Sequence, residues 1–221
     1  MSLIDRAIPE PAHSSRVDES SGSAIAAIVN RPFPAVVAVL LVYAILAVFN
    51  SGGVGYLSTD TGGKVATLEA MSQRGDLTPD VGYWAVQHDP EGRLHPFANT
   101  EKRGDQWVNV TTLPMLYAAY PLYQVGGYRL ALLLPMLGAV TAAFAGRALA
   151  ERFRPGAGWM AYWVLALASP LTIYALDFWE HTWGVALVLW AIELLYRSVA
   201  DRRELDFPFL VTTMLAGSYL G

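Results

Sequence analysis

Apolar residues along this chain come in blocks, not with a period of 2 or 3.6. Five blocks stand out, at residues 33–49, 128–149, 159–176, 183–196 and 207–221. Runs of this length and apolarity predict membrane-crossing helices. Pro32 and Pro34 suit the start of the first, where a missing backbone N–H costs nothing. Asn50-Ser51-Gly52-Gly53 ends it. Residues 1–32 carry Ser, Pro and Glu without an apolar core, which predicts a disordered cytoplasmic tail and no signal peptide. Residues 50–127 are polar enough to form one large extramembrane loop.

Three elements are expected inside that loop. Val65, Leu68 and Met71 or Ser72 fall at helical spacing within residues 61–73. They predict a short amphipathic helix lying along the interface and closed by Gly75. Asp89-Pro90-Glu91-Gly92 is a type I turn signal, so residues 83–88 and 93–97 are expected to pair as a small hairpin. Residues 111–124 are apolar and aromatic but interrupted by Pro114 and Pro121. That run is too short to span and predicts an interfacial or re-entrant helix.

Composition sharpens this picture. Of 221 residues, 54% are hydrophobic and 15% charged, against roughly 25% charged in soluble domains. Seven Trp and eleven Tyr suit anchoring at headgroup level. The expected fold class is an all-α membrane protein, with polytopic transmembrane helices and a long external first loop carrying interfacial helices and the small hairpin. The bilayer is its first partner. A net charge of −4 gives no basic footprint for nucleic acid. The absence of cysteine removes disulfides, thiol nucleophiles and thiolate metal ligands.

Basic residues set the orientation. Arg31, the Arg147/Arg152/Arg154 group and the Arg197/Arg202/Arg203 group fall on one side if residues 111–124 do not cross. By the positive-inside rule that side is the cytoplasm. The expected location is the plasma (inner) membrane, multi-pass, with a cytoplasmic N-terminus and the long loop outside. The last block stops at Gly221 without a polar flank. A terminal carboxylate in hydrocarbon is costly, so a truncated frame or one half of a split protein is expected.

The candidate chemistry lies in two acidic segments. Asp60 follows the first block closely and would sit just outside the hydrocarbon. There it fits a general base that takes the proton from an acceptor hydroxyl, and equally an N-cap for the helix that follows. Gly62 and Gly63 would let a bulky ligand approach the backbone. Lys64 fits a phosphate contact or a snorkelling interfacial cation. The stretch is no P-loop, because Ser58 replaces the first glycine and Val65 the Ser/Thr. Asp177, Glu180 and His181 crowd the short connection between the third and fourth blocks. They fit substrate binding, acid–base work or a metal contact, or else Asp177 or Thr182 caps the next helix, with Trp179 and Trp183 as interface anchors. His88 and His95 would face each other across the expected hairpin. Asn109-Val110-Thr111 is a formal glycosylation sequon.

This order of parts resembles the GT-C superfamily of integral membrane glycosyltransferases, which use polyprenyl-phosphate sugars. The resemblance runs from about Phe33 to Gly221. It rests on one span, a long external loop with an acid right after the membrane (Ser-Thr-Asp-Thr-Gly-Gly-Lys), and a short later loop, Asp-Phe-Trp-Glu-His-Thr. It implies Asp60 as catalytic base and a polyprenyl-phosphate sugar donor as substrate. It implies that Asp177, Glu180 and His181 bind substrate or a divalent metal, and leaves the cofactor otherwise unspecified. GT-C modules carry at least seven spans, so it also implies a complementing C-terminal part. The competing class is a non-catalytic membrane subunit or transporter fragment whose external loop binds a partner. Transport calls for polar residues near the midplane, and these blocks are nearly free of charge at their centres.

Overall fold

The computed structural model describes residues 27, 29–50, 59–97, 99–109, 113–200 and 207–220. The tail up to residue 26, the 51–58 connection with Ser58, residues 110–112 of the sequon and Pro-rich approach, and Arg202, Arg203 and Gly221 lie outside the described residues. The elements are α1 (Pro32–Asn50), α2 (Thr59–Arg74), β1 (Thr100–Arg103), β2 (Gln106–Asn109), α3 (Leu113–Ala131), α4 (Leu133–Phe153), α5 (Gly158–Leu167), α6 (Leu171–Ala175), α7 (His181–Ala200) and α8 (Phe207–Leu220). The fold is mostly helical. Three helices are long and apolar enough to cross a membrane: Pro32–Phe49, Leu133–Phe153 and His181–Ala200.

Helix α4 is the hub, in contact with α1, α3, α5, α6 and α7. It can be crowded because most of its buried positions are small: Gly138, Ala139, Ala142, Ala143, Ala145 and Gly146, beside Pro135, Met136 and Val140. A Cβ on Gly146 would lie 2.0 Å from Leu165 Cδ1, and one on Gly138 would lie 2.5 Å from Thr182 Oγ1. Small residues let helix backbones approach where no hydrophobic drive separates protein from lipid. Helix α1 packs through Ala35, Val39 and Tyr43, four residues apart on one face. Its opposite face leaves Phe33, Leu41, Ile45 and Val48 exposed.

The apolar run expected at 159–176 is not one helix. It breaks at residues 168–170, between α5 and α6. Pro170 has no N–H, so the Ala166 carbonyl loses its helical donor. Two hydroxyls replace it: the buried Tyr43 Oη–H and Thr172 Oγ1–H, the latter at 3.1 Å. Ser169 Oγ then accepts from the Leu171 N–H at 3.2 Å. This is how a broken helix keeps its backbone satisfied in apolar surroundings. A second break, at Gly126 and Gly127 (φ 61° at the latter), ends the first part of α3 just before Tyr128. Pro121 stays inside the helix.

At the far end of α4, Glu193 of α7 is buried. Its Oε1 accepts from Arg152 Nε and Arg197 Nη2, each at 3.0 Å. The Arg147 guanidinium lies 4.3 Å above the Trp159 ring.

The hairpin forms elsewhere than expected. β1 and β2 pair antiparallel, Thr100 opposite Asn109 and Arg103 opposite Gln106, around Gly104-Asp105. Gly104 has φ +64°, which a two-residue hairpin turn requires. Asp89-Pro90-Glu91-Gly92 does turn, with the Gly92 N–H on the Asp89 carbonyl at 3.0 Å, but no strands flank it. His88 and His95 therefore do not face each other across a ladder. His95 instead stacks on Trp107 at 5.4 Å between ring centroids and contacts Tyr83 at 4.8 Å. Trp107 is the buried centre of this small loop unit. Gly92 lies beneath its ring, where a Cβ would come within 2.1 Å.

Helix α2 ends as predicted at Gly75, whose φ is +70° and whose N–H meets the Met71 carbonyl at 2.9 Å. Its inward face keeps Leu68 and Met71 of the expected stripe but is broader and more polar. Thr61, Lys64, Thr67, Leu68 and Met71 are buried, and Val65 is half-buried at the edge. Tyr123 of α3 donates to Glu69 at 2.8 Å. Hydrogen bonds from Tyr123 and Gln73 hold the Glu69 carboxyl below its ordinary range.

Asp89 ties the loop unit together. Its Oδ2 accepts from the Leu94 N–H at 2.7 Å and from the Tyr83 hydroxyl at 2.9 Å. The Leu94 bond is the main reason its carboxyl sits below the ordinary value of 3.8. A carboxyl lowered by folding takes up a proton more readily in the unfolded loop. Its contribution is therefore complete above the ordinary value and is lost as the pH falls through the lower folded one. The packing of Trp107 should survive from neutral pH to about that value and loosen in stronger acid. Trp107 fluorescence against pH checks this in a variant with the other tryptophans replaced by Phe. Asp89→Asn should remove the acid transition.

Candidate functional site

The two acidic segments meet. Helix α2 lays its first two turns against the connection between α6 and α7. Thr61 donates to Asp177 Oδ1 at 2.7 Å. Lys64 Nζ pairs with Glu180 Oε2. These contacts join residues 116 positions apart.

Each partner is positioned by its own element. Asp177 Oδ1 accepts from three donors: Thr61, the Phe178 N–H at 2.8 Å and the Tyr128 hydroxyl at 3.3 Å. Tyr128 is the first residue after the Gly127 break, so that break sets its direction. The Glu180 carbonyl accepts from the Trp183 and Gly184 N–H groups at 3.0 and 3.1 Å. Glu180 thus occupies the N-cap position of α7 through its backbone, while its carboxylate reaches Lys64. Neither Asp177 nor Thr182 caps this helix. Thr182 is buried against Gly138, and its Oγ1 has no partner among the described residues. Trp183 is half-buried, and its Nε1–H donates to the Leu134 carbonyl at 2.9 Å.

Lys64 is 1% exposed and Glu180 keeps 18% of its side-chain surface. A lysine in that position is neither snorkelling nor open to a free phosphate. Any anion it meets is shared with Glu180. His181 is exposed, with its ring edge-on to Tyr174 at 5.2 Å and to Trp179 at 5.3 Å.

Asp60 lies in the first turn of α2, one residue inside the helix start. A carboxylate there is favoured by the positive end of the helix dipole. Its Oδ1 accepts from Asn99 Nδ2 at 3.0 Å, and it stays partly open to solvent. Asp60 does not contact Asp177, Glu180 or His181 directly. Its neighbours Thr61 and Lys64 make those contacts. Arg129 is exposed next to Tyr128 and forms no ion pair among the described residues.

Asn99, Thr61 and Tyr128 belong to this site although no motif marks them. The only signal for Thr61 and Tyr128 was adjacency to Asp60 and to Gly126-Gly127. Among the described residues, no three His, Cys, Asp or Glu side chains are grouped so as to hold a metal ion. The implied divalent metal therefore finds no ligand set here, and no step is assigned to one.

The Lys64–Glu180 pair should behave as a buried lock. Removing one partner leaves the other charge buried, which typically costs about 3–5 kcal/mol. Glu180→Gln and Lys64→Met should each lower the unfolding midpoint markedly in detergent. The double variant should recover part of that loss. Simple additivity in this double-mutant cycle would show that the two side chains do not depend on each other.

No protein-family model, no curated protein and no solved structure matches this chain.

Proposed function

We propose that this chain is the N-terminal part of a multi-pass membrane glycosyltransferase. It moves a sugar from a polyprenyl-phosphate carrier to an acceptor hydroxyl on the outer face, with Asp60 as general base. The observation that carries the reading is the convergence of α2 on the 177–180 connection through Thr61–Asp177 and Lys64–Glu180. It brings together the two acidic segments on which the GT-C resemblance rests. The three helices long and apolar enough to cross a membrane support placement of the site at a bilayer surface.

In this reading Asp60 accepts the acceptor's proton as its oxygen attacks the anomeric carbon, and the bond to the phosphate breaks. The sugar carbon gains oxocarbenium character. The departing phosphate needs a cation. Arg129 is the better placed to supply it, since Lys64 is already paired with Glu180. Asp177 and Glu180 act by holding the two segments together at the substrate, and His181 offers an exposed polar edge to it. The N-terminus is cytoplasmic and both segments face outward, in the plasma membrane.

A second reading is a non-catalytic subunit whose loop binds a partner. It draws support from Trp84 and Leu94, which are 88% and 81% exposed on that loop.

Two measurements test the proposal. The chain has no cysteine, so single cysteines at Gln73, His181 and Arg154 can be labelled cleanly in intact cells. An impermeant thiol reagent should reach the first two and not the third. Opposite labelling of Gln73 and His181 would sink the topology. Asp60→Asn keeps size and an acceptor for Asn99 but removes the base. Turnover of a lipid-linked sugar by the complete or complemented enzyme should fall about a hundredfold or more, roughly 3 kcal/mol of barrier, at normal expression. Asp177→Asn should be milder. Near-normal turnover by Asp60→Asn would leave the subunit reading standing.

A further inference from the structure

The first turn of α2 is held from two sides. At about 100° per residue, Thr61 and Lys64 share one face of the helix, and Asp60 and Gly63 share the next. The first face meets Asp177 and Glu180. The second meets the β1–β2 hairpin at two points. Asn99, the residue just before β1, donates to Asp60. One turn on, the fully buried Asn109 of β2 presses its amide against Gly63, where a Cβ would lie 2.2 Å from Nδ2. Two contacts one turn apart fix the rotation of that turn as well as its distance.

Asn99 has φ 60°, the only positive φ outside glycine among the described residues. Asparagine tolerates this region better than other non-glycine residues. The bend turns its side chain back from the strand toward Asp60. The Asn99 amide restrains one carboxylate oxygen of Asp60. It also fixes the plane of the group, and Asp60 Oδ2 accepts from none of the described residues.

We infer that Asn99, carried by the hairpin, is a positioning residue for Asp60: its amide holds Oδ1 so that Oδ2 faces the acceptor hydroxyl. This rests on Asp60 being the general base of the proposed transfer. It gives the hairpin a task in the reaction, since loss of its register would leave Asp60 free to rotate.

The test uses Asn99→Gly, which keeps the positive φ and removes only the amide, and Asn99→Asp, which replaces the donor with a second carboxylate. Both are assayed in membranes with a short-chain polyprenyl-phosphate sugar as donor, beside the unaltered protein and Asp60→Asn. Asn99→Gly should lower kcat roughly tenfold, with little change in KM for the donor. Asn99→Asp, which also sets a like charge beside Asp60, should lower kcat further. Asp60 should also react faster with a water-soluble carbodiimide in Asn99→Gly, a readout independent of turnover. If the unaltered protein turns over while Asn99→Gly matches it in kcat and carbodiimide rate, the inference falls and the transferase reading stands. If Asp60→Asn is as active as the unaltered protein, the transferase reading falls and the inference with it.

Discussion

Close approach of other helices to α4 is the constraint on which the rest depends. Gly138, Gly146 and the alanines between them leave no side-chain bulk on that face. Leu165 of α5 fills the space at one level and Thr182 of α7 at the other. Seating Thr182 against Gly138 fixes the start of α7. Its Glu180 then lands where Lys64 of α2 can reach it. A bulky residue at Gly138 would move the start of α7, and with it every polar contact between the two acidic segments.

The polar groups follow one logic. At three places where a polar group leaves water, a partner comes from another turn or another helix. Tyr43 serves the carbonyl that Pro170 leaves bare, Glu180 serves Lys64, and Arg152 and Arg197 serve Glu193. Unpaired polar groups in apolar surroundings cost several kcal/mol each. These pairs therefore act as position markers: the helices that carry them fit together in few other ways.

Much of the helical framework was legible in the apolar blocks, because block length follows from membrane thickness. Residues 33–49 and 183–196 fall within α1 and α7, and Gly75 caps α2. The break at Pro170 was hidden because the flanking residues stay apolar, so hydropathy runs straight through it. The hairpin was misread because Thr100–Arg103 is polar throughout and shows no alternation. The stronger turn signal lay at Asp89–Gly92, where the neighbouring residues pack around Trp107 instead of pairing. In the candidate site, the acidic residues stood out by their placement beside apolar blocks. Their connections did not. Lys64 looks like a surface cation until Glu180, 116 positions away, is brought to it. Asn99 is one polar loop residue among many until the backbone bend at its position is known.

Helix α7 is bonded at both ends, through Glu180 to α2 and through Glu193 to α4. The two acids are thirteen positions apart, about 20 Å of helix. A rod pinned at two such points can neither slide along its axis nor spin about it. Adding or removing one residue between them would turn one acid by about 100° relative to the other, so only one end could stay engaged. The exposed positions in the middle of α7 are therefore freer in side-chain identity than in number, while Gly184 and Ala186 stay buried. The helix works as a ruler, setting the distance between the polar layer at its start and the arginine cluster at its other end.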